Sequence, residues 1–144
     1  MTRWVLSACR IALGALFLWA AASKLPDMGA FAQDVANYRL VPALWVPYVA
    51  AAVVGVEFVA GLALVAGIAA RPAAAAVAVL LLAFIAFLAQ ALLRGIDLRC
   101  GCFGGEEVAS WWTVARDAAM LLAALCVARW HQRKPRTRAP APIV

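Results

Sequence analysis

Charge is what this sequence is short of. Asp, Glu, Lys and Arg make up 14% of its 144 residues, against about 25% in a soluble domain. Hydrophobic residues reach 67% and the mean hydropathy is +0.92. A chain this small keeps much of its surface in water, so it cannot hide that apolar content as a soluble globular domain. Disorder is excluded for the opposite reason, because disordered chains are poor in apolar residues. Cysteine is also scarce: four residues are far too few for a disulfide-stapled mini-protein of this length. Histidine occurs once, at position 131. What remains is an integral membrane protein.

A spanning helix needs about 20 mostly apolar residues. Four segments qualify, residues 4–23, 44–70, 72–93 and 111–130. Their apolar runs are continuous, whereas barrel strands would alternate at every second residue. Each helix then satisfies its own backbone polar groups within the bilayer. The first run is interrupted by Arg10 and exceeds the about 7–15 residues of a signal-peptide core, so it is expected to be retained as a span. Cys9 is not a lipoprotein cysteine, since the hydrophobic stretch follows it. The expected fold is all-α, an integral membrane four-helix bundle over residues 1–131 with a disordered basic tail over 132–144.

Basic residues set the orientation. Arg3, Arg10, Arg71, Arg129, Arg133, Lys134, Arg136 and Arg138 lie on one side, and Lys24, Arg39, Arg94 and Arg99 on the other. The excess belongs in the cytoplasm, so both termini are expected there, in a bacterial inner membrane. The net charge of +6 is thus a topology signal and gives no reason to invoke nucleic acid. The tail is expected to touch anionic lipid.

The first outer loop, residues 24–43, holds a short helical pattern. Asp27 suits an N-cap. Met28, Phe31, Ala32 and Val35 recur at helical spacing opposite Gln33, Asp34 and Asn37, which describes an amphipathic helix at the outer membrane interface.

The second outer loop, residues 94–110, carries the sharpest chemical feature: Cys100-Gly101-Cys102 among several glycines. Cysteines on the oxidising side of a bacterial membrane seldom stay idle thiols. A disulfide between residues two apart strains the preferred bond geometry, and strained exposed disulfides are the labile or catalytic ones. Gly101 relaxes the backbone between them. Thiol–disulfide exchange, a static staple or free thiols, and a Cu(I) dithiolate are the readings open to the pair. Zinc usually takes four ligands, and His131 falls on the opposite face, so no metal site is expected beyond the copper alternative. Cys9 and Cys126 lie inside spans, where a free cysteine behaves as a small apolar residue.

Charges at bilayer depth are costly and usually face the bundle interior. Arg10, Glu57, Arg116 and Asp117 are such charges. Arg3, Ser7, Arg10, Gly14, Phe17, Ala21 and Lys24 share one face of span one, Ala76, Ala83, Ala86 and Gln90 one face of span three, and Glu57 stands one turn from Gly61. These are expected packing seams, since small residues let membrane helices approach. Arg116, Asp117, Gln90 and Lys24, with Glu57 deeper, are expected to form a polar cluster beneath the cysteine loop. Its two readings are a network that locks the bundle, and a site that tunes the cysteines or binds a quinone head group.

Cys100-Gly101-Cys102-Phe103-Gly104, followed by Trp112-Thr113 and Arg116-Asp117, resembles the methylamine utilisation protein MauE family of the DoxX-like four-helix membrane proteins. The stretch from Phe17 to Lys24-Leu25, then Phe31, Tyr38, Leu40 to Pro42, Glu57, Gly61 and Gly67, is similar to the DoxX-like pattern. The likeness covers about residues 5–130. It implies work beside a periplasmic thioredoxin-like protein in forming disulfides in exported proteins such as an amine dehydrogenase, with Cys100 and Cys102 as the reactive residues. The sequence thus leans to a thiol–disulfide oxidoreductase handing electrons to a membrane carrier, with quinone the candidate. The alternative is a non-catalytic anchor or assembly subunit of a redox complex.

The orientation is testable directly. With Cys100 and Cys102 periplasmic, a membrane-impermeant thiol reagent labels the reduced pair in intact cells; labelling only after lysis reverses the topology.

Overall fold

The computed structural model describes residues 3–95 and 110–130. These form α1 (Arg3–Lys24), a 3-10 turn (Leu25–Asp27), α2 (Met28–Asn37), a second 3-10 turn (Ala43–Trp45), α3 (Val46–Ala66), α4 (Ala70–Leu93) and α5 (Trp111–Trp130). The described residues contain no strand. The tail and the Cys100–Cys102 loop lie outside them. Helices α1, α3, α4 and α5 are long and apolar enough to cross a membrane, so Arg3 and Trp130 lie at one end of the bundle, here the termini side. Lys24, α2 and Ser110 belong to the other half, here the loop side.

Local chemistry explains the boundaries. Pro26 follows α1 and cannot prolong it, having no N–H to donate and a ring that crowds the preceding turn. Asp27 then caps α2: its side chain accepts from the Ala30 N–H at 2.8 Å. Pro47 opens α3, where its missing donor is not needed. Gly67 closes α3 in the left-handed conformation, φ +74°, the usual glycine C-cap. Ala69 is also left-handed, φ +49°, and the chain reverses into α4 within three residues. Pro72 therefore falls in the first turn of α4, which begins two residues before the span read from sequence.

Two glycines let α1 and α3 approach closely. A Cβ on Gly14 would sit 2.8 Å from the Gly61 carbonyl oxygen, and one on Gly61 would sit 2.9 Å from that of Gly14. The α1 and α3 backbones therefore touch, as small residues in membrane helices permit. Around this crossing Leu13 and Phe17 pack with Ala60 and Leu64, Ala74, Val77 and Leu81 of α4, and Ala124 and Val127 of α5. The α1 face expected from the sequence is buried at Gly14, Phe17, Ala21 and Lys24, while Ser7 is exposed. The α4 seam differs. Its buried residues are Ala70, Ala73, Ala74, Val77, Ala78, Leu81, Leu88 and Ala91; Ala76 and Ala83 are half-buried and Ala86 is exposed.

Large apolar side chains cover the outside: Ile11 and Leu16, Phe58 and Leu62, Val79 and Leu82, and Leu122. A hydrocarbon solvent explains such a surface where water could not. Exposed aromatics mark its two edges. Trp4 and Trp130 stand on the termini side, and Trp45, Tyr48, Trp111 and Trp112 on the loop side, as interfacial belts do.

The glycine contact makes an expected contrast. Gly61→Val separates α1 from α3 and destabilises by about 1–3 kcal/mol, the range for overpacking. Gly55→Ala meets nothing within 4 Å and leaves thermal stability in detergent unchanged or higher. Equal melting of the two variants would disprove the close crossing.

Candidate functional site

Lys24 and Glu57 come together halfway along α3. Lys24 Nζ lies 2.9 Å from both Glu57 carboxylate oxygens and donates to the Ala20 carbonyl at 3.2 Å. The two side chains are 1% and 2% exposed. Burying a lone ammonium or carboxylate is prohibitive; here each cancels the other, and a carbonyl of the last turn of α1 takes the third donor. The Phe31 ring of α2 covers the ammonium, 5.2 Å from Nζ to its centroid, the geometry of a cation–π contact. The pair therefore stands where α1 breaks at Pro26 and α2 begins. Phe31 packs there with Ala21, Ala50 and Val54. Just after α2, its C-cap Tyr38 packs with Leu88 and Ala91 near the end of α4. The apolar face of α2 thus covers α3 in its loop-side half, and Tyr38, just after α2, reaches α4.

A second pair belongs to α5. Asp117 is buried, and Arg116 Nε stands 3.6 Å from its Oδ1, with the arginine side chain 28% exposed. That separation is an ion pair rather than a hydrogen bond. Gln90 turns to its own helix end: with its amide oxygen toward Arg94 it accepts from Nη1 at 2.9 Å and Nε at 3.1 Å. Of the five residues expected as one cluster, Lys24 pairs with Glu57, Arg116 with Asp117, and Gln90 with Arg94 at the end of α4. Glu57 belongs to an ion pair as well as to the small-residue seam, and Lys24 is its partner. Phe31 was legible as an apolar position of α2, but its place over Lys24 was not.

Ser110 precedes α5. Its carbonyl accepts from the Thr113 N–H at 3.0 Å and its hydroxyl lies 3.4 Å from the same nitrogen. The start of α5 is therefore capped mainly by the backbone. The described cysteines, Cys9 and Cys126, are free thiols, the first half-buried and the second exposed on the bundle surface. Arg10 is aimed at the α3–α4 turn, where a Cβ on Gly67 would overlap its guanidinium. Glycine there serves both the positive φ and the arginine.

A protein-family model described as methylamine utilisation protein MauE matches residues 2–130. The methylamine utilization protein MauE of Paracoccus denitrificans is 42% identical over 127 residues, which cover 86% of this chain and 68% of that protein. No solved structure matches the chain.

The buried pair predicts an asymmetry. Glu57→Leu takes the paired carboxylate from the Lys24 ammonium and costs about 3–5 kcal/mol, the range for breaking a buried pair. Lys24→Met with Glu57→Leu removes both charges and recovers most of that loss. Thermal midpoints and membrane yields of the single and double variants measure it. A double variant no better than the single would show that the pair is not coupled.

Proposed function

The chain belongs to the methylamine utilisation protein MauE family, and on that premise we propose that it is a membrane thiol–disulfide redox protein of methylamine utilisation. In this reading it exchanges electrons between a periplasmic thioredoxin-like protein and a membrane carrier through Cys100 and Cys102, and so supports disulfide formation in exported proteins. The observation that carries it is the Cys100-Gly101-Cys102 sequence in the connection from α4 to α5. Both termini face the cytoplasm of an inner-membrane protein, as the basic residues dictate, and the cysteines face the oxidising side.

The chemistry follows from thiolate exchange. A thiolate of the partner attacks one sulfur of the Cys100–Cys102 disulfide and forms a mixed disulfide, releasing the other sulfur as thiolate. The partner's second thiolate then attacks its own sulfur in that bond. The partner leaves oxidised, and Cys100 and Cys102 remain as a dithiol holding two electrons and two protons. α5 begins at Trp111, and the positive end of a helix favours a nearby thiolate. A stabilised thiolate is the better leaving group. Arg116 adds positive charge beneath the same connection, while Asp117 moderates it.

A second reading has its own support. Lys24–Glu57 is enclosed and internally neutral, as a pair that holds helices together should be. The polar residues then serve the bundle, and the protein anchors or assembles a redox complex without turning over.

Single substitutions separate the two. Cys100→Ser or Cys102→Ser abolishes complementation, whereas Cys9→Ser and Cys126→Ser are tolerated. In the redox reading one of the outer variants also accumulates a mixed disulfide with its partner, visible after acid trapping. Full complementation by both outer variants would leave the anchoring role in its place.

A further inference from the structure

We propose that the termini-side end of the bundle binds the phosphate of an anionic phospholipid, held where Arg10 and Arg71 flank the turn between α3 and α4. The site is independent of the redox reading above.

Arg10 is not an ordinary surface arginine. It lies within α1, about 10 Å along the helix from Arg3, and it is half-buried. Side chains of a helix lean toward its N-terminus, so this one runs toward the termini side. Its guanidinium ends over Gly67, whose Cβ, were there one, would overlap Nη1 and stand 3.0 Å from Cζ. Nε is buried without an acceptor. Among the described residues no carboxylate pairs with Arg10. The C-terminal end of α3 brings partial negative charge to the same place, about half an elementary charge, which offsets only part of a full positive one. A cation at this depth ordinarily has a partner.

The chain has no acidic side chain to offer it. Residues 1–26, 58–96 and 118–144 contain neither Asp nor Glu, and the described parts of these segments make up the termini-side half of all four spans. Arg71 adds a second cation, exposed in the first turn of α4, four residues after Gly67. The charge that balances the two must therefore come from outside the protein. A guanidinium fork matches two phosphate oxygens, and basic pockets between transmembrane helices are where anionic headgroups bind.

The surroundings favour a lipid over a soluble phosphate. Ile68, at the tip of the turn, is 70% exposed, and Val65, in the last turn of α3, is exposed as well. An apolar tip on a connection between two spans belongs in the membrane interface, where the acyl chains of a phospholipid can cover it while its phosphate meets Arg10. Phosphatidylglycerol brings one net negative charge to that contact. Phosphatidylcholine carries its own cation beside the phosphate and neutralises nothing.

The test uses the full chain, delipidated in detergent micelles, with dioleoylphosphatidylglycerol as probe. Wild type is expected to show saturable thermal stabilisation by this lipid, and binding about tenfold weaker or worse by dioleoylphosphatidylcholine. Arg10→Gln weakens the phosphatidylglycerol effect about tenfold. Arg71→Gln weakens it in the same direction by a smaller factor and carries the test should the first variant fail to fold. Arg129→Gln, exposed in the last turn of α5, leaves it unchanged. Glycerol 3-phosphate, a phosphate without acyl chains, does not compete at the same concentration. The proposal is overturned if wild type shows no saturable effect, if phosphatidylcholine binds equally well, or if the folded Arg10 and Arg71 variants bind undiminished. It is also overturned if Arg129→Gln loses as much as Arg10→Gln, which makes the attraction one of net charge, or if glycerol 3-phosphate competes equally, which makes the ligand a soluble phosphate.

Discussion

The Lys24–Glu57 pair is the constraint around which the bundle is arranged. An ammonium and a carboxylate, both almost fully enclosed, are tolerable at this depth only while they neutralise each other. Three features place them within reach. Gly14 and Gly61 bring the backbones of α1 and α3 into contact, and Gly61 lies one turn from Glu57. Pro26 stops α1 just after Lys24, leaving the Ala20 carbonyl to take another of the ammonium's donors. Phe31 then closes the site from α2. The break in the first hydrophobic segment and the buried glutamate of the second are two halves of one solution.

That arrangement divides the molecule. On the termini side the chain is occupied with packing: the Ala73, Ala74 and Val77 seam of α4, Leu13 of α1, and the Arg10 guanidinium over Gly67. On the loop side α3 is covered by α2, a short amphipathic helix whose Phe31 and Asp34 border a small space shared with Tyr38, Phe84 and Phe87. A stable lower half allows an upper half with such a space, because the contact of Gly14 with Gly61 does not depend on the residues that line it.

Much of this was legible in the sequence, for identifiable reasons. Four long apolar runs gave four spans to within a few residues, because the bilayer imposes a length that tertiary context cannot override. Asp27 announced the start of α2 because an N-cap is a local interaction. The inward face of α1 was readable from Gly14 to Lys24 because large, small and charged residues alternate there. The seam of α4 was not readable. Residues 73–76 are all alanine, so helical periodicity has no contrast to report, and Ala76 was given the place that Ala73 and Ala74 hold. The union of Lys24 with Glu57 joins residues 33 positions apart. It becomes visible only once α1 and α3 are known to be antiparallel neighbours in contact at Gly14 and Gly61. The Cys100 and Cys102 motif was the clearest chemical signal in the sequence, and it falls outside the described residues.

The two described cysteines sharpen what the redox reading requires. Cys126 faces outward from α5 toward lipid, and Cys9 is half-buried in α1. Both belong to the termini-side portions of α1 and α5. Neither residue therefore stands where a relay across the bilayer would need it, and a hydrocarbon core of about 30 Å separates the two faces. In the redox reading, then, the electrons of Cys100 and Cys102 pass to a carrier on the loop side. By ending α1 at Lys24 the bundle makes room for α2, which packs on α3 in the loop-side half. The interaction that makes a buried lysine tolerable is thus also the one that seats α2 on the loop side, through the Phe31 ring over Lys24.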